Sequence, residues 1–117
     1  MNLLPNHERA IIEDSKLIHY ALNPQNERGR HKARVFESTL GFNLSNWAQL
    51  KEAILDALPH YEATSTGETA FGKKFEVVLS ITGLNGRTVD VMTIWQFDCL
   101  ADRTFSDVPR LVTVYVL

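Results

Sequence analysis

The chain changes its hydrophobic period once, near Pro59. Before that point apolar residues recur at helical spacing, and after it they alternate. Trp47, Leu50, Ile54, Leu55 and Leu58 form one stripe that predicts a helix from Trp47 to Leu58, with Asn46 and Gln49 as a capping pair and Pro59 as its stop. A helix is also predicted from Arg30 to Leu40, closed by Gly41 at its C-terminus and by a hydrophobic contact from Phe42. Asp14 is a suitable N-cap for a shorter helix, Ser15 to Leu22, which Asn23-Pro24 ends. Upstream lies an arm, residues 1–13, with an extended piece at Ala10-Ile11-Ile12. Downstream, strands are predicted over 74–82, 88–97 and 110–116, with a ragged Thr- and Glu-rich edge over 61–69 and a loop from Asp98 to Asp107. Helices first and strands second predict one α+β domain over residues 1–117, divided into the arm, a helical part over 14–58 and a sheet over 61–117. Its N-terminal helices should cover one face of a three- to four-stranded antiparallel sheet.

The hairpin signal Asn85-Gly86 suggests a register. If these are the two turn residues, Leu84 pairs with Arg87. Phe75, Val77, Leu79 and Ile81 then share a core face with Met92 and Ile94, and Val112, Val114 and Val116 join them from the last strand. The opposite, open face carries Glu76, Val78, Ser80 and Thr82 beside Val89, Val91, Thr93 and Trp95, together with Thr113 and Tyr115. A one-residue slip would send Thr93 and Trp95 inward.

Composition narrows the function less than it narrows the fold. At 117 residues, 44% hydrophobic and 22% charged, the chain suits one globular domain. Its net charge of −2 makes it no general polycation, so any contact with nucleic acid must be local. The single cysteine, Cys99, permits no internal disulfide and reads as a half-buried small hydrophobe. No apolar run reaches the ~18 residues that span a membrane, and the N-terminus lacks the charged flank of a signal peptide. A cytoplasmic protein is expected.

Against this background the segment Arg28-Gly29-Arg30-His31-Lys32-Ala33-Arg34 stands out, with four fixed positive charges and a histidine in seven residues. A helix start exposes unpaired N–H groups and about half a positive charge, which favours Asp or Glu there. Arg and Lys at that place call for an anion between them, and phosphate fits. Metal-free RNA cleavage needs a base for the 2′-hydroxyl, a proton donor for the 5′-oxygen and cations around the phosphate. His31 is the acid/base candidate, since histidine titrates near neutral pH. Lys32 is a charge stabiliser, and Arg30 and Arg34 are phosphate ligands. Glu76 is a partner base, Thr93, Thr113 or Tyr115 would hydrogen-bond a phosphate oxygen, and Trp95 would stack on a base. Each residue alone has an ordinary reading: a basic helix face in water, exposed strand residues, a tryptophan anchoring a small core. Only their convergence would make a site. His7, His19 and His60 are expected at the surface or partly buried. No cysteine pair, HExxH, close histidine pair or nucleophile elbow is present, so neither a metal nor another cofactor is expected.

Taken together, Gly29-Arg30-His31-Lys32-Ala33-Arg34-Val35-Phe36, Leu40-Gly41-Phe42, Thr82-Gly83-Leu84-Asn85-Gly86-Arg87-Thr88 and Val108-Pro109-Arg110-Leu111-Val112-Thr113 resemble an uncharacterised bacterial domain family. That family occurs as free-standing proteins and at the C-termini of large polymorphic toxins. The layout is also similar to the barnase, EndoU, colicin and RelE group of ribonuclease toxins. This resemblance implies metal-independent RNA cleavage with a helix-borne His or Lys facing the sheet. By position it implicates His31, Lys32, Arg34, Arg87, Thr93, Arg110 and Thr113. The strand Val91-Met92-Thr93-Ile94-Trp95 departs from the pattern, since an arginine is expected before the threonine, and the loop after Phe97 is longer than expected. The expected function is a toxin-type endoribonuclease acting on RNA and neutralised by an acidic antitoxin or immunity protein. The rivals are a non-catalytic immunity or antitoxin-like module and a mobile-element binding protein.

Overall fold

A computed structural model of the chain describes residues 2–117. Helix α1 spans Arg30–Leu40 and α2 spans Trp47–Ala57. Four strands follow, β1 (Ala63–Thr69), β2 (Gly72–Thr82), β3 (Thr88–Asp98) and β4 (Arg110–Val116), paired antiparallel in the order β1-β2-β3-β4. The helices lie against one side of this sheet, the expected α+β arrangement. The arm contributes a single parallel bridge, Ile11 to Arg110, beside the start of β4. No helix among the described residues is long and apolar enough to cross a membrane.

Helix ends depart from expectation in instructive ways. Gly41 closes α1 in the left-handed region at φ 76°, and Phe42 N donates to Phe36 O at 3.3 Å with its ring fully buried. The capping box falls one turn earlier than expected. Asn43 Oδ1 accepts from Ser45 N at 2.9 Å, and Asn46 Oδ1 accepts from Asn43 N at 2.8 Å. Asn46 therefore serves a 3-10 turn, Leu44–Asn46, that leads into α2, and Gln49 has no part in it. Asp14 caps nothing and instead pairs with Lys51 at 2.8 Å. The segment after it is a π-helix, Lys16–Ala21, in place of a plain α-helix, with Leu22 N bonded to Leu17 O at 2.9 Å.

The hairpin register also departs from expectation, by one residue. Gly83 N donates to Arg87 O at 2.8 Å and Gly86 N to Gly83 O at 3.1 Å, so the loop is Leu84-Asn85-Gly86. Only Gly86 has positive φ, 83°, whereas a two-residue turn at Asn85-Gly86 would need it at both positions. Val77 then faces Thr93, Leu79 faces Val91 and Phe75 faces Trp95. The slip has a packing reason. The expected register would place Asp90 opposite Ile81 on the core face and bury Met92 and Ile94. The observed one buries Val91, Trp95 and Phe97 and leaves Asp90 exposed. At about 1.5–3 kcal/mol per large apolar side chain, plus the cost of burying a carboxylate, packing overrules the turn.

Thr93 and Trp95 are thus core residues, each 0% exposed. Thr93 Oγ1 donates to Val77 O at 2.7 Å and accepts from the Trp95 indole N–H at 2.8 Å. On β4 an irregularity opposite Ile94 and Trp95 makes Val112 the extra residue. Leu111 and Val114 are buried, Val116 packs beside them, and Val112 leaves the core. Replacing Thr93 by Val should strand the indole N–H and cost about 1–3 kcal/mol. Urea melts of wild type and Thr93→Val check this, and equal midpoints would refute it.

Candidate functional site

The π-helix and α1 meet at a seam that carries most of the site. Asn26 Nδ2 donates to His19 O at 3.0 Å, while its Oδ1 accepts from Arg28 N at 2.9 Å and Gly29 N at 2.8 Å. Its carbonyl accepts from Arg30 N at 2.8 Å. A neutral side chain therefore takes up N–H groups at the start of α1 that were expected to hold an anion. Gly29 has a reason of its own. A Cβ there would stand 2.1 Å from Tyr20 O, so only glycine lets α1 approach the π-helix this closely.

That approach brings Lys32 to Tyr20. Lys32 Nζ donates to Thr113 Oγ1 at 3.0 Å and to Tyr20 Oη at 3.3 Å. It also stands 4.9 Å from the Tyr20 ring centroid and 5.2 Å from that of Tyr115. An ammonium has three N–H donors, so one remains free. Tyr20 and Thr113, the two hydroxyl partners of Lys32, also border a cleft of about 550 Å³, together with Lys16, His19, Arg28 and Glu13; Lys32 stands behind them and does not itself line it. The bulge on β4 aims Val112 into the same wall.

The charge here is one-sided. Among the described residues, ion pairs engage Arg9, Lys51, Lys73 and Arg110 but none of Lys16, Arg28, Arg30, Lys32 or Arg34. Five unneutralised cations at one end of a chain of net charge −2 make a local anion-attracting field.

The remaining expected site residues go elsewhere. His31, Arg30 and Arg34 are exposed on α1, outside this cleft. Glu76 lies opposite Ile94 on β2, half-buried on the sheet face away from the helices, and Thr93 and Trp95 are inaccessible. Arg87 donates to Ser38 O at 3.4 Å at the far end of α1. Arg110 is a structural cation. Its Nη2 and Nε donate to the two Asp98 carboxylate oxygens at 2.8 and 3.0 Å, and Glu13 lies 3.6 Å from it. The Arg110 guanidinium holds the Asp98 carboxyl below the usual range, helped by the Gln96 amide and opposed by partial burial, and Asp98 in turn raises Arg110. Of the residues named from the sequence, the structure brings Lys32, Thr113 and Tyr115 together; Lys16, His19, Tyr20 and Arg28, which border the cleft, were not named as site residues. The three-residue spacing of Lys16 and His19, with Tyr20 adjacent, was the signal for one shared face.

Residues 3–117 match the family model described as Domain of unknown function (DUF6883). The chain belongs to this family. It matches no curated protein and no solved structure. For this member of the family the site is therefore argued from its own geometry.

Two outcomes test that geometry. Gly29→Ala should cost about 1–3 kcal/mol by forcing backbone apart, read as a lowered melting temperature. Because Asp98 titrates lower when folded, the folded chain binds fewer protons than the unfolded one as pH falls below about 4. The stabilisation is present above that range and is lost as pH falls through the depressed value. Asp98→Asn should cost about 1 kcal/mol at neutral pH and nothing at the acid end, since the pair is partly exposed. Parallel melting curves of the two proteins at every pH would contradict this.

Proposed function

We propose that the chain is a toxin-type endoribonuclease that uses the cleft between the π-helix and β4. The observation that carries the reading is Lys32, held between two tyrosine rings and a threonine hydroxyl with one donor free and no carboxylate partner. A lysine so placed, behind the Tyr20 and Thr113 hydroxyls of a cleft that Lys16 and Arg28 border, suits the non-bridging oxygens of a phosphodiester, whose charge grows in the transition state.

The chemistry is a transfer within the RNA. The 2′-oxygen attacks phosphorus as its proton passes to a base. The P–O5′ bond breaks, and the 5′-oxygen takes a proton from an acid, leaving a 2′,3′-cyclic phosphate and a 5′-hydroxyl. His19 takes the role first given to His31, that of base, because it borders the cleft. Tyr20 is the acid. Its oxygen accepts the Lys32 N–H, which leaves its own proton to be donated outward. Thr113 orients Lys32 and the phosphate. In this reading the substrate is cytoplasmic RNA, and a neutralising partner would lay acidic side chains over the five cations.

Induction of wild type, Lys32→Ala and His31→Ala in a bacterial host, with the purified proteins on a labelled RNA, tests the reading. Wild type and His31→Ala should arrest growth and release cyclic-phosphate ends. Lys32→Ala should be slower by about a hundredfold or more. Intact RNA with well-folded wild type would move the assignment to a non-catalytic binding module.

A further inference from the structure

Helix α1, which carries Lys32, borders a second cleft, unlike the first in character. This cleft, of about 340 Å³, has Leu22, Pro24, Ala33 and Leu44 as apolar walls and Arg34 and Glu37 at its edge. Ala33 adjoins Lys32 in the chain, and Leu22 lies two residues beyond Tyr20, so the segment that ends the π-helix reaches both clefts while α1 walls the second. Arg28 borders the first cleft and Arg34 the second, and both are exposed.

We infer that the second cleft is a nucleobase subsite, so that the substrate is single-stranded RNA with a phosphate in the first cleft and a nearby base in the second. The inference rests on the phosphodiester reading above and deepens it. Apolar walls with a few polar groups at the rim are the make-up of a pocket for a flat heterocycle. A second phosphate would not suit it, because Glu37 has no ion-pair partner among the described residues and would repel one. A base edge offers donors to Glu37 and acceptors to Arg34 together. Arg28 at the first cleft and Arg34 at the second supply complementary charge for the backbone joining them. The strand must be single, since a base paired in a duplex is not free to turn out of its stack into a cleft. Leu44 is exposed, as the wall of an open cleft would be, and carries no capping bond of the Asn43 turn.

The test is fluorescence anisotropy with two labelled probes, a 2′-O-methyl RNA tetranucleotide and the same backbone without bases. The methyl group removes the attacking hydroxyl, so binding is read without cleavage. Wild type should bind the base-bearing probe about tenfold more tightly, the effect of burying one base face against apolar walls. Leu44→Ala and Arg34→Gln should each narrow that gap, Leu44→Ala with no change on the abasic probe. Lys32→Ala should weaken both probes alike. Equal affinity of wild type for the two probes would overturn the base subsite and leave the phosphate cleft standing. Binding of neither probe would overturn both.

Discussion

Helix α1 is clamped at both ends, and the placement of the candidate site depends on that clamp. At its C-terminus the β2–β3 loop supplies the missing donors: Leu84 N to Leu40 O at 2.9 Å, the Asn85 amide to Thr39 O at 3.0 Å and Arg87 to Ser38 O at 3.4 Å. Gly83 makes this approach possible, because a Cβ there would stand 2.2 Å from Leu40 O. At the N-terminus the Asn26 side chain joins the Gly29 N–H to the His19 carbonyl, and Gly29 lets α1 lie against the Tyr20 carbonyl. The hairpin that sets the sheet register is therefore also the cap that sets the helix. A change at the turn would reach both sheet faces and the helix position together.

The candidate site collects side chains from three places that this clamp aligns. The π-helix contributes Tyr20, α1 contributes Lys32 and the bulged β4 contributes Thr113. Both irregular elements spend an extra residue to aim a side chain, and both do so at the same cleft. A cation held on two ring faces and two hydroxyl oxygens, with no carboxylate, keeps its charge available to a ligand. The Arg110–Asp98 pair is the opposite case. A bidentate partner neutralises that arginine and commits it to holding β3, β4 and the arm together.

Much of this was legible in the chain itself. The α+β order, the bounds of α1, its glycine stop and the strand pairing all follow from period and turn residues, which act over a few neighbours. The basic segment was legible as concentrated charge for the same local reason, since it sits misplaced at a helix start. The register was not, because Asn85-Gly86 serves a two-residue or a three-residue loop equally well. The choice was made by which β3 face could be buried without Asp90. Thr93 and Trp95 were misplaced with it, and Glu76 was left with no partner across the sheet from Lys32.

The chain by itself determined which elements form and where fixed charge concentrates, because propensity, capping and composition are properties of short segments. The tertiary structure decided which of those charges remain free. Arg110 found Asp98 and Lys32 found two tyrosines, and both pairings join residues at least twelve positions apart in the chain. A contact of that kind is settled by the burial of the core between the elements, and no local pattern encodes it.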